Sequence, residues 1–106
     1  MTYGQAANIF ATAKNKALGK PIGHNTRLIK IADAYGIMYH NTVVVYIYSN
    51  GHYELNNGGW NTSTTKLRMN EYSPISIFSV KGEWYARYKN ETIPYFNHLT
   101  TNEWGT

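Results

Sequence analysis

The chain has no cysteine, which excludes disulfides and thiolate-bound metals and suits a reducing compartment. Acidic residues are scarce. The six carboxylates, Asp33, Glu54, Glu71, Glu83, Glu91 and Glu103, are scattered singly, so no pair stands at a ligand-like interval for metal-assisted hydrolysis. No two histidines share a His-x-His or His-x-x-x-His spacing, and neither a Gly-x-Ser-x-Gly elbow nor a Walker loop occurs. The expectation is a non-enzymatic protein without metal or cofactor. No apolar run approaches the length that crosses a bilayer, and the N-terminus lacks the apolar core of a signal peptide. The expected location is cytoplasmic, with no membrane partner.

What the chain does have is cations and rings. Across 106 residues the formal net charge is +4, which favours a phosphate-bearing or acidic partner without demanding one. There are ten tyrosines and three tryptophans. Some must line the core of so small a domain, and the rest can serve as surface stacking platforms or simply fill strands.

The length fits one domain over residues 1–106. Thr2-Tyr3-Gly4-Gln5 reads as a capping box, and Ala6, Ile9, Phe10, Ala13 and Ala17 follow at helical spacing until Gly19 and Pro21. The predicted helix covers about 2–19. A period of two then marks strands at Thr26 to Ile31, Ile37 to His40 and Thr42 to Tyr48, the last expected to be buried on both faces. Asn50-Gly51 turns the chain back through His52 to Leu55. A short helix is expected from Thr64 to about Tyr72, capped by Thr62 or Ser63 and stopped by Pro74. Ile75 to Val80 and Trp84 to Lys89 form a second hairpin, with one edge strand near Ile93 to Phe96 and an irregular tail over 97–106. The fold class is α+β: an N-terminal helix packed on a curved five- or six-stranded antiparallel sheet or small barrel, spanning about 25–96, with a short helix inserted after the Gly-Gly-Trp loop. Open edge strands would also allow a homodimer.

The segment from Asn56 to Asn70 concentrates polar chemistry. Gly58 and Gly59 permit backbone that exposes amides, and the following helix start adds partial positive charge. Thr62, Ser63, Thr64 and Thr65 bring hydroxyls to that end, with Lys66 and Arg68 in the first turns. Such a nest suits phosphate or an acidic side chain. The candidate ligand-binding residues are therefore Gly58, Gly59, Trp60, Thr62, Thr64, Thr65, Lys66 and Arg68, with His40 beside them. The competing reading makes the glycines a tight turn, Trp60 a core plug and the hydroxyls mere caps.

Two further patterns carry weight. His-Asn-Thr occurs at His24-Asn25-Thr26 and again at His40-Asn41-Thr42. The pair resembles the His-x-Thr strands of two-histidine phosphoesterases, although hydrogen-bonded histidines at two strand ends explain it more simply. Trp84 to Lys89 interleaves aromatics and cations. Alternation puts Tyr85, Arg87 and Lys89 on one face, either a basic-aromatic surface for a nucleic-acid strand or the wet side of a hairpin.

Asn25-Thr26, His40 to Val44, Asn50-Gly51, the run Gly-Gly-Trp-x-Thr-x-Thr-Thr-Lys-x-Arg-x-Asn over Gly58 to Asn70, and Gly82 to Tyr85 together resemble a family of small, functionally uncharacterised bacteriophage and prophage proteins. The resemblance implies a phage accessory protein acting in the cytoplasm of a bacterial host. Its expected partner is a nucleic acid or nucleotide, gripped through phosphate. The alternative is a host defence protein, blocked in the manner of an anti-CRISPR, and a two-histidine phosphoesterase is the third reading.

Overall fold

The computed structural model describes residues 1–105; the last residue of the expected tail, Thr106, lies outside the described residues. Helix α1 spans Tyr3–Phe10. Its capping box is present: Thr2 Oγ1 accepts from the Gln5 amide and the Gln5 side chain accepts from the Thr2 amide. The helix stops well short of Gly19, because local side chains compete for its last carbonyls. The Thr12 hydroxyl donates to the Ile9 carbonyl at 2.6 Å. The Lys16 ammonium donates to the carbonyls of Phe10, Ala11 and Ala13 at 3.1, 2.8 and 2.9 Å. Asn15 Oδ1 then accepts from the Ala17 and Leu18 amides and bends the chain away. Helical spacing of alanines was a weaker signal than these bonds.

Strands β1 (Lys20–Gly23), β2 (Thr26–Ile31), β3 (Ala34–Tyr39), β4 (Thr42–Ile47) and β5 (Tyr53–Leu55) run as an antiparallel meander. Strand β1 was not expected, since Pro21 lies in it; the strand is at the sheet edge, where a missing amide costs nothing. A short strand β9 (Leu99–Thr100) pairs with β5 and completes a six-stranded sheet of order β1-β2-β3-β4-β5-β9. The sheet stays open rather than closing into a barrel. Strand β4 is not buried on both faces. The register slips by one residue opposite Ile37 and Met38, which turns Val44 and Val45 both inward, while Tyr46 stays half-buried and Ile47 is buried. A bulge therefore explains the unbroken apolar run.

Helix α2 spans Ser63–Tyr72, with Thr62 as N-cap. A second, three-stranded sheet follows: β6 (Ser76–Val80), β7 (Glu83–Tyr88) and β8 (Glu91–Pro94). The edge strand thus begins two residues before its expected start. The tail is ordered beyond β9 as a 3-10 turn, Thr101–Trp104, whose Trp104 indole donates to the Glu91 carbonyl at 2.8 Å.

One core joins these layers. Leu28, Ile37, Val45, Ile47 and Leu55 from the first sheet meet Ile77, Trp84 and Ala86 from the second, with Met69 of α2 between them at 0% exposure. Helix α2 packs on β4 on one side and β6 on the other. Its polar side chains hold both. Arg68 Nε donates to Thr26 Oγ1 at 2.9 Å on the first sheet. Asn70 Oδ1 accepts from the Ile77 amide at 2.6 Å while Asn70 Nδ2 donates to the Ile77 carbonyl at 3.0 Å. That pair satisfies the open edge of β6. Replacing Asn70 by Ala leaves both backbone groups of Ile77 unpaired, so Asn70→Ala is expected to lower stability by about 1–3 kcal/mol. The urea midpoint should fall with an unchanged slope.

Candidate functional site

The loop from Asn56 to Asn61 is shaped by its own amides. Gly58 has φ +61, and a Cβ there would stand 2.8 Å from Thr42 Cγ2, so only glycine allows the loop to press on β4. The glycine amides do not form an open nest. Gly58 N–H donates to Asn56 Oδ1 at 3.1 Å, and Gly59 N–H to Asn57 Oδ1 at 2.8 Å. The Trp60 amide donates to the Asn57 carbonyl at 2.9 Å. Asn57 is itself held, with Nδ2 donating to Asn61 Oδ1 and its amide donating to the Tyr95 hydroxyl at 2.9 Å. Tyr95 packs edge-on against Trp84 with ring centroids 5.3 Å apart. At the helix start Thr62 Oγ1 accepts from the Thr65 amide at 3.2 Å and shares a 2.9 Å hydrogen bond with Thr65 Oγ1. The amides of Ser63 and Thr64 have no partner among the described residues.

Between this loop and the end of the first sheet lies a cavity of about 460 Å³. From the sheet, Tyr39, His40, Asn41, Thr42 and Val44 line it; from the loop and helix, Asn57, Trp60, Thr62, Thr64 and Thr65 do. The volume falls in the range of small-molecule sites. His40 is in the β3–β4 turn with φ +53, and its ring lies against Tyr39 with centroids 4.4 Å apart. Trp60 is 64% exposed. Neither a hydrogen bond from its indole nor an aromatic partner occurs among the described residues. The other two tryptophans are used within the fold, Trp84 buried in the core and Trp104 bonded to Glu91.

Of the residues singled out in the sequence, the structure brings His40, Trp60, Thr62, Thr64 and Thr65 to one cavity; Gly58 and Gly59 do not line it, although Gly58 presses on Thr42, which does. Lys66 and Arg68 do not reach it. The Lys66 ammonium donates to Ser79 Oγ at 3.0 Å and lies 5.8 Å from the Trp84 ring centre. Arg68 also contacts the His24 carbonyl at 3.4 Å and Glu71 at 3.6 Å, and it covers the Tyr39 ring at 5.3 Å. Removing both cations would act on the docking of α2 before it acted on any ligand. Tyr39, Asn41, Thr42, Val44 and Asn57 line the cavity without having been singled out for it. Asn41 and Thr42 belong to the repeated His-Asn-Thr and could have been found there; Tyr39 and Val44 carry no local signal.

The two His-Asn-Thr turns stand side by side, the His40 amide donating to the Asn25 carbonyl at 2.8 Å. The Thr26 hydroxyl is engaged, donating to the His24 carbonyl at 2.7 Å and accepting from Arg68, so it is not free to hold a phosphate oxygen. On the second sheet Tyr85 is half-buried and stacks on Phe78 with centroids 5.9 Å apart, while Arg87 is exposed. Lys89 follows the end of β7, in a turn with φ +51, and covers Tyr88. Among the described residues no group of three His, Asp or Glu could hold a metal ion, and no helix is long and apolar enough to cross a membrane.

A family model described as the Kyanoviridae Gp96 protein matches residues 5–102, nearly the whole chain. No curated protein and no solved structure matches.

The wall beneath Asn57 has a pH signature. Burial pushes the Tyr95 hydroxyl up to about 12, against the opposing donation from the Asn57 amide. Burial, then the hydrogen bond to Glu54, pushes Tyr48 up to about 12 as well. Both folded values exceed the ordinary tyrosine value near 10, so their contribution is complete below pH 10 and disappears as pH rises toward 12. Urea midpoints should fall over that window, and the Tyr48→Phe/Tyr95→Phe double variant should fall less steeply than the parent.

Proposed function

The chain belongs to the Kyanoviridae Gp96 protein family, a family of phage proteins, and on that premise we propose a non-enzymatic phage accessory protein whose cavity holds a nucleotide unit. The observation that carries this reading is Trp60, a 64% exposed indole at the cavity. An exposed indole adds nothing to core burial, and a planar base laid on it would recover both stacking and apolar contact. The remaining lining suits a nucleotide. Asn41, exposed in the β3–β4 turn, offers a paired donor and acceptor for a base edge. The start of α2, with the Ser63 and Thr64 amides and the Thr64 hydroxyl, offers a partial positive charge to a phosphate. The net charge of +4 favours the same class of partner.

A second reading has its own support. On the outer face of the second sheet, Phe78, Tyr85 and Pro94 stand in one row across β6, β7 and β8, next to Val80 at 49% exposure. Such a row suits a protein partner, as an inhibitor of a bacterial defence complex would need.

Calorimetric titration with the mononucleotides AMP, GMP, CMP and UMP and with short single-stranded oligonucleotides tests the first reading. Trp60→Ala should weaken binding by about 1–3 kcal/mol, the value of one stacked base, and Phe78→Glu should not. No heat with any of these probes, or equal affinity in Trp60→Ala, would overturn it. For the second reading, pull-down from a nuclease-treated host lysate should retain a protein that Phe78→Glu releases. Identical retention by that variant would refute a docking role for the row.

A further inference from the structure

A second cavity of about 430 Å³ adjoins the first, lined by Asn25, Thr26, Arg27 and Met38 among others, and by His40 and Asn41. His40 and Asn41 line both cavities. They form the two-residue turn between β3 and β4 and both are exposed, so a single turn separates the openings. That turn is braced by the bond from the His40 amide to the Asn25 carbonyl. The cavities differ in character. The first is mostly apolar in lining and has Trp60 but no Lys or Arg; the second is mostly polar and has Arg27. Arg27 donates only one bond among the described residues, from Nη1 to the Gly19 carbonyl at 3.3 Å. Its other guanidinium donors remain open, in contrast to Arg68, which is engaged with Thr26, His24 and Glu71.

Register sets Tyr39 of the first cavity and Arg27 and Met38 of the second on opposite faces of the sheet, so a single strand folded over the turn meets a stacking surface on one face and a cation on the other. Resting on the nucleotide reading above, we propose that the ligand is a single-stranded nucleic acid crossing the His40–Asn41 turn, with one base against Trp60 and a phosphate beyond the turn on Arg27. The strand then meets the His40 ring and the Asn41 amide at its midpoint. A lone mononucleotide fills the first cavity and leaves Arg27 without its partner. Duplex nucleic acid binds less well, because its stacked bases cannot enter beside Trp60.

The test compares a mononucleotide with a six-nucleotide homopolymer of the same base, by calorimetry at several salt concentrations. The hexamer should bind at least tenfold tighter, and with a steeper dependence on salt. Arg27→Ala should weaken the hexamer roughly tenfold, as expected for a lost charge-assisted contact, and lower the salt slope by about 0.7. Mononucleotide affinity should not change. Arg27→Lys should restore most of the slope, which separates lost charge from lost folding, and circular dichroism checks the fold of each variant. If the mononucleotide binds at Trp60 but the hexamer gains nothing, or Arg27→Ala leaves its salt slope intact, the strand proposal is wrong and the nucleotide reading stands. If neither probe binds, both are wrong.

Discussion

Helix α2 is held from two sides, and the rest of the molecule depends on it. Its apolar contribution is small for a helix of this length: Met69, Tyr72 and the methyl-bearing Thr65 are the buried side chains. Met69 alone, fully buried, is worth about 1.5–3 kcal/mol. The remaining grip is polar and directed. Arg68 reaches the first sheet at the β1–β2 turn, Asn70 closes the edge of β6, and Lys66 bonds Ser79 on the same strand. Two open sheets sharing one core would otherwise be free to shift across each other. The helix fixes their separation because its cations and amide reach opposite partners.

That arrangement decides which part of the polar segment can serve a ligand. Side chains pointing along the helix toward the sheets are engaged in holding them, and the glycine amides are satisfied by Asn56 and Asn57. What stays open is the N-terminal end of the helix and the indole of Trp60 just before it. The cavity exists because the loop presses onto Thr42 through Gly58 and then lifts away from the β3–β4 turn. The same contacts that stabilise the fold therefore shape the opening.

The first sheet contributes by its turns. The β1–β2, β2–β3 and β3–β4 connections are two-residue turns, and Asn25, Ala32 and His40 adopt positive φ in them without being glycine. The turns bring His24-Asn25 and His40-Asn41 to one end of the sheet, directly beside the start of α2. The two copies of His-Asn-Thr turn differently, with the positive φ on Asn25 in the first and on His40 in the second, and the second copy also borders two cavities.

Much of the architecture was legible in residues alone, because its signals are local. The Thr2 capping box, the period-two strands, the Asn50-Gly51 turn and the Thr62 cap before α2 each depend on neighbours within a few positions. Local reasoning failed where a distant or unusual bond decided the outcome. The Lys16 ammonium ended α1, a bulge turned Val44 inward, and β9 found an edge on β5 too short to leave a periodic trace. The candidate site divides in the same way. Residue types in the Gly58–Asn70 run identified which side chains carry polar chemistry, since composition is a property of the chain. Which of them face a ligand was decided only by packing, because Lys66 and Arg68 find partners in strands far away in sequence, whereas Trp60 finds none.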